Sequence, residues 1–413
     1  MKNALLIAYH FPPIRVSSGI QRTLSLTRYL HEHGWQPSVL TIAPRAYEKT
    51  SDDQLKDVPA HVEVTRAAGW DTARHLAVSG RYLGFMALPD RWVSWLLGGV
   101  VSGLRMIRKN KPKVIWSTYP IASAHLIGLV LHRLTGLPWV VDFRDSMTED
   151  NYPSDPTQRK IYRWIESQAV KRASRIIFTT QGACEMYRSR YPEVSADRFA
   201  VIPNGYDEEI FLAAERELTD TPKASGPVTL VHSGVLYPSE RDPTAFFDAL
   251  AELKREGAIS AGNLKVLLRA TGHDSLFQPM LQERSIEDLV SLVPGVSYIE
   301  ALKEMLSVDG LLLFQAANCN HQVPAKLYEY FRADKPILAL TDKQGNTAQT
   351  MRDAGLANIV DLQDKQDIKA GLVAFIAQLQ AGTAETACPQ ITRAYSRQAL
   401  VGNFAGLFDT AVS

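Results

Sequence analysis

Val323-Pro324-Ala325-Lys326-Leu327-Tyr328-Glu329-Tyr330-Phe331, followed by Lys335-Pro336 and the apolar run Ile337-Leu338-Ala339-Leu340, is the stretch from which the rest of the chain is read. Proline disfavours helical geometry in its predecessor, so Lys335-Pro336 closes a helix, and the apolar run behind it suits a buried parallel strand. Lys326 and Glu329 then sit one turn apart on a single helix face. The amino end of such a helix carries positive potential suited to a phosphate. A carboxylate accepts two hydrogen bonds side by side, which suits the paired hydroxyls of a ribose. The competing reading is a plain surface salt bridge, worth about 0.2–0.5 kcal/mol.

The segment resembles the nucleotide-sugar site of retaining glycosyltransferases with the GT-B fold, in the family numbered four, on the branch that builds surface polysaccharides. The resemblance implies an α/β architecture of two Rossmann-like, doubly wound parallel-sheet domains facing each other across a cleft. Glu329 matches the second acid of the family's Glu-x7-Glu pattern, which holds the donor ribose; eight positions earlier stands His321 in place of the first acid. The resemblance assigns Val323, Pro324, Tyr328 and His321 to the donor side, with His321 placed to hydrogen-bond a sugar hydroxyl or a phosphate.

The chain's 413 residues favour two domains, and 46% apolar residues with a net charge of +1 describe a folded enzyme without a nucleic-acid partner. Cys184, Cys319 and Cys388 are far apart and form no CxxC pair, so neither a disulfide framework nor a zinc site is expected, and a reducing cytoplasm fits. Ala4 to Tyr9 reads as a first β-strand and not as a secretory segment. The longest apolar-rich stretch, Trp92 to Leu104, falls short of the roughly 18–20 residues of a spanning helix.

From Tyr9 to Ile202, strand-like runs alternate with helical ones, as in Val114-Ile115-Trp116, Ile121 to Leu134, Trp139-Val140-Val141, Ile161 to Arg172 and Arg175-Ile176-Ile177-Phe178. Such alternation argues for a parallel sheet with helices on both faces. The expected domains are 1–210 and 227–395, joined by a loose linker from Thr219 to Pro227. A final helix over 396–413 carries Leu400, Phe404, Leu407 and Phe408 at helical spacing and, as in GT-B relatives, packs back on the first domain.

Four other stretches carry candidate chemistry. His10 to Arg22 resembles the family's paired prolines followed by a glycine approach to the donor; Gly19 lets backbone amides come near a phosphate, and Ser18 stands where relatives have a first glycine. The reading assigns Arg15 and Arg22 to the acceptor or membrane side. No GxGxxG motif is present and no acid ends the second strand, which argues against a Rossmann dehydrogenase. His232 to Pro243 resembles the family loop that carries a basic residue onto the diphosphate, which implies Ser233 and Gly234 at the donor and Arg241 either on the diphosphate or paired with Asp242 or Glu240; Val235 replaces an arginine common in relatives. In Asp142-Phe143-Arg144-Asp145, Arg144 stands where the family often has a histidine. It either takes over charge stabilisation, with Asp142 beside it, or is clamped between Asp142 and Asp145. Around Val293-Pro294-Gly295-Val296 the match is to a loop whose backbone reads the nucleobase, with Val296 at the donor.

Val93, Leu96, Leu97, Val100, Leu104 and Ile107 form one helical stripe beside Arg105, Arg108, Lys109, Lys111 and Lys113, which describes either an interfacial helix on anionic lipid or a core helix with a basic end. The resemblance as a whole implies transfer of a sugar from a nucleotide-diphosphate donor, UDP-linked by preference, to a lipid-linked or oligosaccharide acceptor with retention. Lys326, Arg241 and helix dipoles stand in for a metal, and no cofactor is expected beyond the nucleotide sugar as co-substrate. Two alternatives remain open: a sugar-nucleotide 2-epimerase on the same fold, and a non-catalytic nucleotide-sugar-binding subunit. The oligomeric state is left open.

Overall fold

The computed structural model describes residues 1–15, 19–52, 54–149, 152–218 and 226–413. Ser18 and most of the expected linker, residues 219–225, lie outside the described residues. Two compact units are present, one made of residues 1–203 and 397–413, the other of residues 204–396.

The first unit contains β1 (Lys2–Ile7), β2 (Trp35–Ile42), β3 (Glu63–Ala67), β4 (Val114–Thr118), β5 (Trp139–Phe143), β6 (Arg175–Phe178) and β7 (Phe199–Val201). They pair in parallel in the order β3-β2-β1-β4-β5-β6-β7. The β4 and β5 strands are buried along their whole length, and each opens on an apolar run, Val114–Trp116 and Trp139–Val141. The helix observed as Pro156–Arg172 starts a turn earlier than the apolar pattern at Ile161 suggests, because Asp155 caps it by accepting from the Gln158 amide at 2.6 Å and Pro156 follows at its first position.

The helix Arg397–Val412 packs on the outer face of this sheet, burying Leu400, Val401, Phe404, Ala405 and Phe408. Phe408 meets Trp35 edge-on at 5.5 Å between ring centroids.

The second unit contains β8 (Val228–Ser233), β9 (Leu264–Arg269), β10 (Val290–Val293), β11 (Gly310–Gln315), β12 (Ile337–Thr341) and β13 (Ile359–Val360), all parallel in the order β10-β9-β8-β11-β12-β13. It begins at Asn204, ahead of the expected start at 227. Asp207 caps the helix Glu208–Glu217, and Arg332 forks onto Glu208 at 2.7 Å and Glu215 at 2.8 Å, so this helix is tied into the second unit by its own acids. The short edge strand β13 and the helices Asn346–Asp353 and Lys365–Ala381 are among the elements that the sequence reading did not name.

His125, in the helix Ala122–Thr135, is wholly buried among Phe143, Trp139 and Tyr119, with Nδ1 2.8 Å from the Ser117 hydroxyl. Burial pushes its imidazole down to about 3. The unfolded chain takes up this proton near pH 6.5 and the folded chain near pH 3, so stability falls as pH drops through that window. By pH 5 this one group should remove about 2 kcal/mol. Urea midpoints of the wild type and His125→Gln at pH 7 and pH 5 measure the effect; the variant should lose distinctly less on acidification.

Candidate functional site

In the second unit the strand order reverses between β8 and β11, and the loops leaving the carboxyl ends of these strands diverge there. Ser233 ends β8 and gives its N–H to the Tyr330 hydroxyl at 3.1 Å; Gly234 gives its own to the Arg269 carbonyl at 2.8 Å. Gly234 has φ of 109°, and a Cβ there would stand 3.0 Å from Lys326 Nζ. Both the backbone angle and the lysine demand glycine.

Lys326 opens the helix Lys326–Arg332, and its Nζ lies 3.0 Å from His232 Nε2. His232 is fully buried with Nδ1 2.9 Å from the Leu312 carbonyl. A carbonyl only accepts, so Nδ1 carries the proton and Nε2 is the acceptor for the lysine. Burial, with the Arg241 guanidinium adding to it, pushes the Lys326 amine well below the usual lysine range, while Glu329 pulls the other way. Burial, then Lys326, pushes the His232 imidazole down as well. Two cationic side chains thus meet in one place, an arrangement that favours an arriving anion.

Arg241 donates from Nη1 to the Val235 carbonyl at 3.0 Å and from Nε to Gln315 Oε1 at 3.5 Å, and lies over the Tyr237 ring at 5.4 Å. Asp242 Oδ1 accepts from the Thr244 amide at 2.9 Å at the start of the next helix. The arginine is therefore braced by neutral groups of β11 and its own loop, with its charge left to the site.

Glu329 Oε1 accepts from the Tyr298 hydroxyl at 2.6 Å. Tyr298 opens the helix Tyr298–Ser307, directly after the loop that holds Val296, which is 46% exposed. Arg269 holds that loop by donating from Nη1 to the Pro294 carbonyl at 2.6 Å while its Nε bonds Glu304 at 3.0 Å. His321 is half-buried in the turn ahead of the helix. Val323 and Pro324 are buried, and Tyr328 turns inward against Tyr395 at 4.7 Å. The Tyr328 side chain belongs to the core, since it lies off the face that carries Lys326 and Glu329.

In the first unit the aspartate-arginine pairing differs from both sequence readings. Asp142 is wholly buried and is gripped by Arg22, from Nε at 2.8 Å and Nη2 at 2.9 Å; Thr118 donates to it at 3.2 Å. Arg22 also donates to the Ile202 and Pro203 carbonyls and stacks on Phe404 at 4.9 Å. A catalytic Asp142 and an acceptor-facing Arg22 are corrected to a buried structural pair. Its carboxylate is filled, and the guanidinium is only 7% exposed.

Arg144 therefore has no Asp142 clamp, and among the described residues its buried Nε and Nη1 have no hydrogen-bond partner. Burial lowers its pKa against the pull of Asp145 and Asp142. Gly19 begins the helix Gly19–Tyr29, and a Cβ there would collide with Arg144 Nη1 and stand 2.7 Å from His10 Nδ1. Burial and Arg144 together push the His10 imidazole down to about 3. His10, Gly19 and Arg144 are thus one cluster; Arg15 is exposed and outside it.

On the helix Trp95–Asn110, Leu96, Val100, Leu104 and Ile107 pack half-buried on the core, while Leu97 is 78% exposed. Arg105, Arg108 and Lys109 are exposed, and Lys109 pairs with Glu63 at 2.9 Å. The stripe is a core-facing helix with Leu97 and Val101 standing out. Among the described residues no group of three or more His, Cys, Asp or Glu is placed to hold a metal ion, and no helix is long and apolar enough to cross a membrane.

His232, Tyr298 and Gln315 were absent from the candidates read from sequence. His232 is adjacent to Ser233-Gly234, yet its contact comes from a lysine 94 positions on.

Replacing Arg22 with Met leaves the Asp142 charge buried and alone, and should cost about 3–5 kcal/mol in denaturant stability. Nucleotide binding by the folded fraction, followed by fluorescence quenching, should remain at the wild-type level.

Residues 18–205 match the family model described as Glycosyl transferase 4-like domain. No curated protein sequence matches the chain. Among solved structures, sucrose-phosphate synthase from Thermosynechococcus elongatus is similar over 99% of this chain and 98% of its own, with a TM-score of 0.68 and 16% identity. The Anabaena protein HepE, solved with UDP and glucose, is similar over 98% and 99% with a TM-score of 0.66 and 12% identity. The lipopolysaccharide outer core galactosyltransferase WaaB is similar over 98% of both chains, with a TM-score of 0.62 and 14% identity. At these identities the likeness is one of fold, and the fold is GT-B.

Proposed function

Given a GT-B chain that carries a glycosyl transferase 4-like domain over residues 18–205, we propose that this protein transfers a sugar from a nucleotide-diphosphate donor, UDP-linked by preference, to a lipid-linked or oligosaccharide acceptor. The observation that carries the reading is the cluster of Lys326, Arg241 and Glu329 where β8 and β11 diverge. Lys326 and Arg241 receive the diphosphate and stabilise it as it leaves; Glu329 takes the ribose hydroxyls. Arg144 is the candidate positive charge within the first unit, its Nε and Nη1 without a hydrogen-bond partner among the described residues. The reaction proceeds with retention by front-face attack, the departing phosphate oxygen accepting the acceptor's proton, and positive side chains serve in place of a metal. HepE, solved with UDP and glucose, supports the choice of base.

The acceptor reading places the protein at the cytoplasmic face of an anionic membrane as a peripheral enzyme of surface-polysaccharide synthesis. The exposed Leu97 and Val101 beside Arg105 and Arg108 support it.

A thermal-shift screen against UDP, GDP, ADP and CMP tests the donor site. The matching nucleotide at about a hundred times its dissociation constant should add about 2.7 kcal/mol of stability, and Glu329→Ala and Lys326→Ala should each abolish most of that gain. No shift with any nucleotide would refute the donor site. Release of UDP from a sugar nucleotide, dependent on added acceptor, separates the transferase from a binding-only subunit and from an epimerase. Sedimentation with phosphatidylglycerol vesicles tests the membrane reading: Leu97→Glu with Val101→Glu should release the protein, and wild-type protein that stays in the supernatant would sink it.

A further inference from the structure

We propose that Tyr298 is a positioning residue of the nucleoside site, its phenol holding the Glu329 carboxylate ready for a ribose diol. The inference rests on the donor reading above and extends it to a residue outside the lysine-glutamate helix. A carboxylate can only accept, so across the 2.6 Å contact the Tyr298 hydroxyl is the donor and Glu329 Oε1 the acceptor. The two residues come from different helices, Tyr298 at the first position of Tyr298–Ser307 and Glu329 in the first turn of Lys326–Arg332.

Both helices are anchored where these residues stand. Ser297 caps the first by accepting from the Glu300 amide, and Leu302 and Met305 sink into the same core as Leu327 and Phe331. The phenol therefore approaches Glu329 from a fixed backbone.

A glutamate on an open helix face has three rotatable bonds, and ordering them at the moment of binding weakens affinity. Holding Oε1 in advance removes part of that cost. Oε2 and the second lone pair of Oε1 then serve as acceptors, one for each of two neighbouring hydroxyl protons. The phenol oxygen keeps a lone pair that can accept from a hydroxyl in turn. The ring is 37% exposed and Val296, two residues earlier, 46% exposed, so the pair is reachable from solvent beside the loop assigned to the base.

The chemistry recognised is a cis-diol attached to a diphosphate, so ribose should be told from deoxyribose at this point. A site built to bond a hydroxyl rejects the analogue that lacks it.

The test is isothermal titration of wild type and Tyr298→Phe with UDP, 2′-deoxy-UDP and inorganic pyrophosphate. In the variant, UDP affinity should fall by about tenfold and the preference for UDP over 2′-deoxy-UDP should shrink by about five- to tenfold, with pyrophosphate affinity unchanged. An unchanged preference overturns the inference. UDP binding more tightly to the variant would show the phenol competing with ribose, and pyrophosphate weakening alongside UDP would show general collapse of the site; either result also overturns it. If wild type bound none of UDP, GDP and ADP, the donor reading would fail and this inference with it. Wild-type binding with an unaltered preference in the variant removes the positioning role alone.

Discussion

A strand in a parallel sheet cannot pass to its neighbour through a tight turn, and this constraint shapes both units. Every strand pairing in the two sheets is parallel, so each strand ends at the same edge and each hands over to a crossover. The crossovers cover both faces, which is why β11 and β12 contain no exposed residue. Side chains that must meet a ligand are thereby confined to one edge. Ser233, Arg269 and Gln315 all stand at strand ends of the second unit, and each holds part of the Lys326–Arg241–Glu329 cluster or the loop beside it.

Within that frame, buried charges divide by whether they are answered. Asp142 with Arg22 is filled on both sides, and so is Glu166, which takes bonds from Arg190, Tyr187, Tyr191 and Thr148. Such pairs fix loops and helices in place, and removing one partner is costly because the other cannot leave. Arg144 and Lys326 differ. The first has two buried nitrogens unanswered among the described residues, and the second has a neutral imidazole and another cation beside it, with Glu329 one turn along its helix. Groups held this way retain their capacity for an incoming acceptor of hydrogen bonds, which separates candidate chemistry from architecture.

The alternation of apolar runs with amphipathic segments was legible because period and length differ between strand and helix; that was enough for the strands named from the sequence and for the returning final helix. The two-residue strand β13 carries too few residues to show a period. Lys326 and Glu329 were legible because both sit on one helix, where spacing alone decides which side chains share a face. Tyr298 and His232 were not, since their partners lie 31 and 94 positions away and only the folded sheet brings them together. The same limit explains the misreading at Asp142, whose partner is an arginine 120 positions earlier and not its neighbour Arg144.

The first unit takes its last helix, Arg397–Val412, from chain that follows the whole of the second. Phe404 and Phe408 cover Trp116 and Trp35 at the sheet face, and Phe404 lies over Arg22. During synthesis, when domains ordinarily fold in the order they emerge, the seven-stranded sheet must wait with that apolar face open while some two hundred further residues are made. The amino-terminal unit is thus the last of the two to be finished, its tryptophan-bearing face covered by the final helix only once the second unit has been made.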